Sequence, residues 1–327
     1  MKDLVIIGAA AAGSAAAIYA GRNNLDFVII SKDVGGEVAL SGKVGNWPGT
    51  ITTTGFELAK NFREHVKTIH DQIDEGFEVT DIKQEKNYHI VTAKNSAGEE
   101  KTYETKAVII ASGIHPRRLP VPGDEKYYGK GITYCTTCDG PLFKGKTTAT
   151  IGAGNSALES VLMMSRISEK VYLLTRYPDT EENSGGFPKG ERILVDKVKE
   201  LDNVEIIYEA DTTEILGEEM VTGLKYKNKN SGEDLSAEAL AKVEKQIEVD
   251  GVMIHIGMIP NSDFVKCSKK NPMGEVEVDI KCNTDCPGVF AAGDVTNVPY
   301  KQIAIAAGHG VTAAMGAIEY INRWKEE

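Results

Sequence analysis

The 327-residue chain is 41% hydrophobic and 26% charged, the balance of a globular protein with ample core. Its 37 Lys and Arg against 48 Asp and Glu leave a formal net charge of −11, which argues against non-specific binding to nucleic acid or to an anionic membrane. Its length suggests about two domains, its 5 cysteines are too few for a disulfide framework, and no run of about 18 apolar residues reads as a membrane span.

Near the amino terminus, Asp3 interrupts what would be the positive region of a leader peptide, and the following Gly/Ala stretch reads better as strand, turn and helix. The expectation is therefore a cytoplasmic protein. Leu4–Gly8 (LVIIG) is a continuous β-branched run, as in a buried parallel strand. A small-residue helix follows over Ala9–Ala20, and Phe27–Ser31 (FVIIS) is the next strand. Together they make one βαβ unit of the usual ~30 residues. Its turn, Gly8-Ala9-Ala10-Ala11-Ala12-Gly13, keeps the first and last glycines of a dinucleotide fingerprint. Ala10 replaces the middle one, where a methyl is expected to crowd a pyrophosphate.

Further along, Phe77–Glu104 alternates in strand fashion, Val108–Gly113 (VIIASG) is another buried strand, and the proline-rich His115–Pro122 reads as a linker. The βαβ pattern then recurs. Thr148–Gly152 is a strand, a helix starts at Asn155, and Val171–Thr175 is a second strand. Here the turn Gly152-Ala153-Gly154-Asn155-Ser156-Ala157 matches G-x-G-x-x-A in full. Backbone N–H groups and the positive helix end there suit a pyrophosphate. Residues 204–255 alternate in places, and 234–251 form a polar stretch that fits no element clearly. Gly288–Asp294 ends a last strand, and Ala304–Trp324 has helical spacing.

The duplication implies an α/β fold of two doubly wound, Rossmann-like nucleotide-binding domains, the second inserted into the first. The expected boundaries are 1–116 with 249–327 for one domain and 117–248 for the other.

Cys135-Thr136-Thr137-Cys138-Asp139 precedes the second fingerprint. Two thiols so spaced can close a small disulfide, one thiolate can attack a partner disulfide, and Asp139 can move a proton beside them. The competing use is half a zinc site. Zinc needs a second matching pair, and Cys282/Cys286 is C-x-x-x-C with no nearby His, so no metal is expected. Cys282 and Cys286 could pair or bind a partner, but the expectation is surface thiols without a role, and Cys267 stands alone. His309 is expected to be structural and Trp47 a packing residue.

The chain resembles low-molecular-weight thioredoxin reductases and the reductase portion of alkyl hydroperoxide reductase flavoproteins over nearly its whole length. The resemblance rests on Gly8 to Gly13, Asn46-Trp47-Pro48-Gly49, Ala111-Ser112-Gly113, Tyr134 to Gly140, Gly152 to Ala157, Gly293-Asp294 and Tyr300-Lys301-Gln302-Ile303. It implies FAD and a nicotinamide dinucleotide as cofactors, and a homodimer. FAD would lie against Gly8, Ala9, Ala10 and Gly13, against Gly36, Glu37 and Asn46, and against Ala111 and Gly113. Gly293, Asp294, Lys301, Gln302 and Ile303 would complete that site, with Asp294 on the ribityl chain. Gly152, Gly154, Asn155, Ser156 and Ala157 would hold the nicotinamide dinucleotide. Cys138 would face the flavin, Cys135 would attack the partner, and Asp139 would be the general acid or base.

Departures from the family pattern bear on the cofactors. Glu37 stands where glutamine is usual. The usual His-Arg-Arg run after the second strand is Thr175-Arg176-Tyr177 here, followed by Glu181. Arg176 alone remains to meet a 2′-phosphate, which favours NADPH with NADH as the alternative. The implied partner is a thioredoxin- or glutaredoxin-like protein. The alternatives are a peroxidase system reached through a separate small redox protein, and a flavoprotein with another electron donor or a sensing role. The resemblance implies an N-terminal redox domain in the hydroperoxide reductase branch; none is expected here, and a separate small disulfide protein is expected either way.

Overall fold

Leu4 to Ile7 are all buried, as a strand covered on both faces requires. They belong to β1 (Lys2–Ile7), which pairs in parallel with β2 (Phe27–Ser31) and β8 (Glu100–Ile110). This computed structural model describes residues 1–69, 72–228 and 244–326. The sheet continues through β5 (Ile73–Glu75), β6 (Phe77–Gln84), β7 (His89–Asn95) and β19 (Val289–Ala291), in the order β5-β2-β1-β8-β7-β6 with β19 beside β8. On its edge away from β1, β8 serves two partners: its first half pairs antiparallel with β7 and its last residues pair parallel with β19.

Alternation sorts the strands' side chains between two cores. Leu4, Ile6, Ile29 and Ile109 join α1 (Ala11–Arg22), α3 (Gly55–Lys67) and α7 (Ile303–Arg323), whereas Val5, Ile7, Val28 and Ile110 pack with Val79, Ile82, Val265 and Val276. α1 and α7 approach closely because small residues line both: a Cβ added at Gly310 would fall 2.1 Å from the Ala12 carbonyl oxygen. The short α2 (Gly36–Leu40), β3 (Lys43–Val44) and β4 (Thr53–Thr54) lie between β2 and α3 in the chain. These segments form one compact unit, Met1–His115 with Met258–Glu327.

The other unit is Pro116–Gly257. Its parallel sheet is ordered β10 (Ile132–Thr133), β17 (Gly251–His255), β11 (Thr147–Gly152), β12 (Lys170–Leu174), β13 (Val204–Ile207). α4 (Thr136–Asp139), α5 (Asn155–Met164) and α6 (Arg192–Lys199) accompany it, and β14 (Ala210–Gly217), β15 (Val221–Asn228) and β16 (Glu244–Glu248) form a separate antiparallel sheet.

Two sequence readings change. The return to the first unit comes at Met258, not at 249, because β17 is an interior strand flanked by β10 and β11. Part of the expected linker is β9 (Ile114–Pro116), which pairs with β18 (Met258–Pro260). Most of the polar stretch 234–251 lies outside the described residues. No helix among those described is long and apolar enough to cross a membrane.

Candidate functional site

In the first unit, the candidate residues follow the carboxyl ends of β1, β2, β8 and β19, where open α/β sheets place their ligands. Gly8 turns the chain at φ +109°, and a Cβ there would come 2.3 Å from the Ala111 carbonyl oxygen. A Cβ at Gly13 would lie 1.8 Å from the Gly8 carbonyl oxygen, so both positions demand glycine. α1 therefore begins hard against the strand ends. Its N-cap, Ala10, makes no side-chain cap, which leaves the first-turn N–H groups to an acceptor from outside the helix.

Ala10 sits at φ −95°, ψ −157°, an extended conformation open to any L residue. Its methyl lies over Gly36, where an added Cβ would approach it to 3.3 Å. The glycine missing at position 10 is thus matched by one at 36. The Gly35 N–H donates to the Ala9 carbonyl at 3.2 Å and ties the two loops together. On the β8 side, Ser112 Oγ donates to the Asn261 carbonyl at 2.6 Å and Asn261 Nδ2 donates to the Ser112 carbonyl at 2.8 Å. The Asn261 N–H also donates to the Gly113 carbonyl at 3.0 Å. Asn261 is a positioning residue that the sequence gives no local signal for.

Asp294 lies in a 3-10 turn just after β19. Its Oδ1 is buried and meets no hydrogen-bond donor among the described residues. Burial pushes its pKa up to about 6; Lys301 opposes this and Glu37 adds to it. A buried acceptor without a donor is costly unless a ligand supplies one, and the hydroxyls of a ribityl chain fit that need. Gln302 is the N-cap residue of α7, and Asn46 Nδ2 donates to its Oε1 at 3.2 Å. Ile303 is the first residue of that helix. Lys301 is committed elsewhere, pairing with Glu275 at 2.8 Å and donating to the Thr296 carbonyl at 2.6 Å. It shapes the loop before α7. The residues present therefore fit FAD.

In the second unit, β11 runs through Gly152 into α5, whose N-cap Gly154 is again without a side-chain cap. A Cβ at Gly152 would lie 2.4 Å from the His255 carbonyl oxygen and 2.8 Å from the Ala157 Cβ, so the turn needs Gly152 and a small residue at Ala157. Asn155 clamps the approach to α6: its Oδ1 accepts from the Glu191 N–H at 2.8 Å and its Nδ2 donates to Glu191 Oε1 at 2.9 Å. Ser156 is exposed in the first turn. Lys189, unremarked in the sequence, forms an isolated β-bridge with Gly154. Arg176 is exposed one position beyond Thr175, with its guanidinium 3.8 Å from Asp211. This turn fits a dinucleotide pyrophosphate.

Cys135 and Cys138 are joined in a disulfide, with Cα atoms 5.3 Å apart. Cys135 caps α4, and its carbonyl accepts from the N–H groups of Cys138 and Asp139 at 3.0 and 3.1 Å. Thr133 Oγ1 accepts from the Cys135 N–H at 3.0 Å and donates to Asp139 Oδ2 at 2.5 Å. Burial raises the pKa of Asp139, and the Thr133 hydroxyl partly offsets the rise. A carboxyl held up in this way is suited to taking and giving a proton.

A second network lies behind the disulfide. Thr136 Oγ1 is 2.6 Å from Ser160 Oγ on α5 and 2.8 Å from His255 Nε2 at the end of β17. Burial drives the His255 pKa down to about 4, so its imidazole is neutral at pH 7. His255 also pairs in register with Gly152. One residue therefore touches the dinucleotide turn through its backbone and the Cys135–Cys138 loop through its ring. The available signal was a lone His in the apolar run GVMIHIG.

The remaining cysteines correct the expectation of surface thiols. Cys282 and Cys286 are 1% and 3% exposed. Cys282 Sγ donates to the His309 carbonyl at 3.6 Å, and Cys286 Sγ donates to Gln84 Oε1 at 3.4 Å. Trp47 packs edge-on against Phe62 at 5.4 Å between ring centroids. No cluster of His, Cys, Asp and Glu among the described residues is arranged to hold a metal.

Residues 2–310 match the pyridine nucleotide-disulphide oxidoreductase family. Among solved structures, the thioredoxin reductase of Streptococcus pyogenes MGAS5005 is similar at a TM-score of 0.86 and 30% identity over 99% of each chain. The thioredoxin reductase of T. acidophilum is 38% identical over 97% of this chain and 98% of its own, with a TM-score of 0.62. One alkyl hydroperoxide reductase subunit, that of Escherichia coli K12, is 36% identical over 99% of this chain but only 59% of its own length. The chain thus spans a little over half of that curated relative.

Proposed function

The chain belongs to the pyridine nucleotide-disulphide oxidoreductase family, and we propose that it is a flavin-dependent disulfide reductase acting on a thioredoxin- or glutaredoxin-like protein. The observation that carries this reading is the closed Cys135–Cys138 disulfide beside half-buried Asp139, in the unit that holds the complete dinucleotide turn. The first unit is proposed to bind FAD and the second NAD(P)H. FAD, when bound, supplies the two-electron relay between the nicotinamide and the disulfide.

This chain's residues then do the exchange. Reduction of Cys135–Cys138 by two electrons and two protons gives two thiols. The Cys135 thiolate attacks the partner disulfide and forms a mixed disulfide, expelling one partner thiolate. The Cys138 thiolate attacks Cys135 Sγ, restores the intramolecular disulfide and releases the second partner thiolate. Asp139, held to Thr133, takes the proton from the attacking thiol and returns it to the leaving one. In this scheme Cys138 is the flavin-side sulfur. A cytoplasmic, homodimeric enzyme is part of the proposal. Leu40, Ile51 and Phe56, exposed by 59%, 96% and 64%, are apolar side chains that a second copy would cover.

The test is anaerobic titration of the purified protein with NADPH and NADH, following flavin absorbance, after heat release has identified the cofactor by mass. FAD and bleaching by a nicotinamide are expected. FMN, a colourless protein that cannot be reconstituted, or a flavin untouched by either nucleotide would overturn the reading. A Cys138→Ser variant is expected to trap the partner in a mixed disulfide through Cys135; trapping by Cys135→Ser alone would reverse the two roles.

A further inference from the structure

The first unit brings together two cysteines that the reductase reaction does not use. Asp285 clamps their loops. Its Oδ1 accepts from Ser268 Oγ and from the Lys269 N–H, both at 2.9 Å, and its Oδ2 lies 3.8 Å from Lys269 Nζ. These bonds join the residues next to Cys267 to the residue next to Cys286. Strand β6 holds the same two loops from the other side. Asp81 Oδ1 is 2.9 Å from Lys266 Nζ, and Gln84 Oε1 accepts from Cys286 Sγ at 3.4 Å. So placed, the two thiols are neighbours in one pocket of the fold, with the Cys286 proton directed at Gln84. Both lie on the apolar cluster that includes Val79, Ile82 and Val289. Cys286 is sealed in, whereas Cys267 is half-buried and reachable.

We propose that Cys267 and Cys286 are a second dithiol–disulfide pair, an oxidative modification site that takes hydroperoxides and is distinct from Cys135–Cys138. The neighbouring Cys286 thiol favours the Cys267 thiolate, although burial and nearby Asp285 and Asp81 oppose it. Cys267 attacks the distal oxygen of ROOH. The O–O bond breaks, Cys267 becomes a sulfenic acid, and RO⁻ leaves as ROH with the proton that Cys267 gave up. Cys286 then attacks the sulfenic sulfur. The S–S bond forms, and the hydroxyl leaves as water with the Cys286 proton. The two thiols lose two electrons and the peroxide gains them. Cys282 takes no part, since its sulfur is engaged with the His309 carbonyl on α7.

The test uses the full-length flavoprotein, reduced with dithiothreitol, freed of reductant and given one equivalent of tert-butyl hydroperoxide. Trypsin digestion follows without reduction. Cleavage after Lys266, Lys269, Lys281 and Lys301 isolates Cys267-Ser268-Lys269 from the peptide running from Cys282 to Lys301. The expected product is these two peptides joined, two hydrogens lighter than their sum, with fragmentation placing the link at Cys286. It should form equally in a Cys135→Ser/Cys138→Ser variant, which separates it from the reductase reading, and in Cys282→Ser. It should be lost in Cys267→Ser. Absence of the joined peptide from the wild-type digest would overturn the proposal, as would a link at Cys282 or Cys267 going to sulfinic acid with Cys286 still a thiol. The wild-type digest alone decides the matter if a variant does not fold.

Discussion

Asp294 illustrates a residue whose proposed role works against stability. Its folded pKa of about 6 lies above the ordinary carboxylate value of 3.8. The native state therefore holds a proton that the unfolded chain releases between about pH 4 and pH 6. Stability contributed by that proton is present below the unfolded value, is lost as pH rises through about 6, and stays lost above it. In flavin-free protein, Asp294→Asn is expected to stabilise the fold at pH 7.5 by on the order of 2–3 kcal/mol and to change little at pH 4. Flavin retention should fall in the same variant. Denaturant unfolding at the two pH values checks the sign, and equal effects at both would show that the carboxylate charge is not the cause. His255 acts differently, through Thr136. His255→Leu leaves the Thr136 and Ser160 hydroxyls to each other and unseats the Cys135–Cys138 loop, at about 1–3 kcal/mol for a buried unmet group. We expect kcat/KM for the disulfide partner to fall roughly 10- to 100-fold. The rate of flavin reduction by the nicotinamide should hold. His255→Gln, which keeps a hydrogen-bonding end, should recover part of the loss, and equal slowing of both half-reactions would assign His255 to general folding.

At the level of elements, nucleotide choice turns on the segment that follows β12. Arg176 is the arginine at the strand end, but its charge is partly met by Asp211 of β14, 3.8 Å away. Lys189, bridged to Gly154, adds a second cation near the turn. A charge-assisted contact to a 2′-phosphate contributes roughly 1.5–3 kcal/mol; sharing Arg176 with Asp211 reduces that. The expected preference for NADPH over NADH is on the order of tenfold. Asp211→Asn should increase it and Arg176→Ala should abolish it, read as kcat/KM for each nucleotide. A preference unmoved by either change would remove Arg176 from recognition. The two βαβ openings were legible in the sequence because their signals are local: an apolar β-branched run, a glycine turn and a small-residue helix. β17 was not, because its place between β10 and β11 is a long-range fact and its run looks like any buried strand. The amphipathic α3 and α6 were also missed, their apolar spacing being diluted by charged positions. The same distinction divides the sites. The C-x-x-C and both fingerprints are contiguous motifs, whereas the roles of Asn261 and His255 and the nearness of Cys267 to Cys286 exist only once distant segments meet.

For the whole molecule, the open choice is between a thioredoxin-like acceptor and a peroxidase. The thioredoxin reductases are matched nearly end to end, and the hydroperoxide reductase relative over little more than half its length. The matched portion is common to both kinds of relative, so on the proposed reading the acceptor is settled by the exchange step. That step needs the Cys135 thiolate to approach a partner disulfide in line with its S–S bond, which a small protein with an exposed disulfide permits most readily. The net charge of −11 adds a long-range pull on any partner with a basic face. With NADPH in excess, we expect kcat/KM for a thioredoxin-fold protein with an exposed C-x-x-C to exceed that for a two-cysteine peroxiredoxin supplied alone by at least about tenfold, a difference of roughly 1.4 kcal/mol in the barrier. For a partner with a basic face, the advantage should shrink between low salt and about 0.5 M, where surface charges are screened within a few ångströms. Adding the thioredoxin-fold protein to the peroxiredoxin assay should restore peroxide turnover. Faster direct reduction of the peroxiredoxin, independent of any small redox protein, would place this chain with the peroxidase reductases instead.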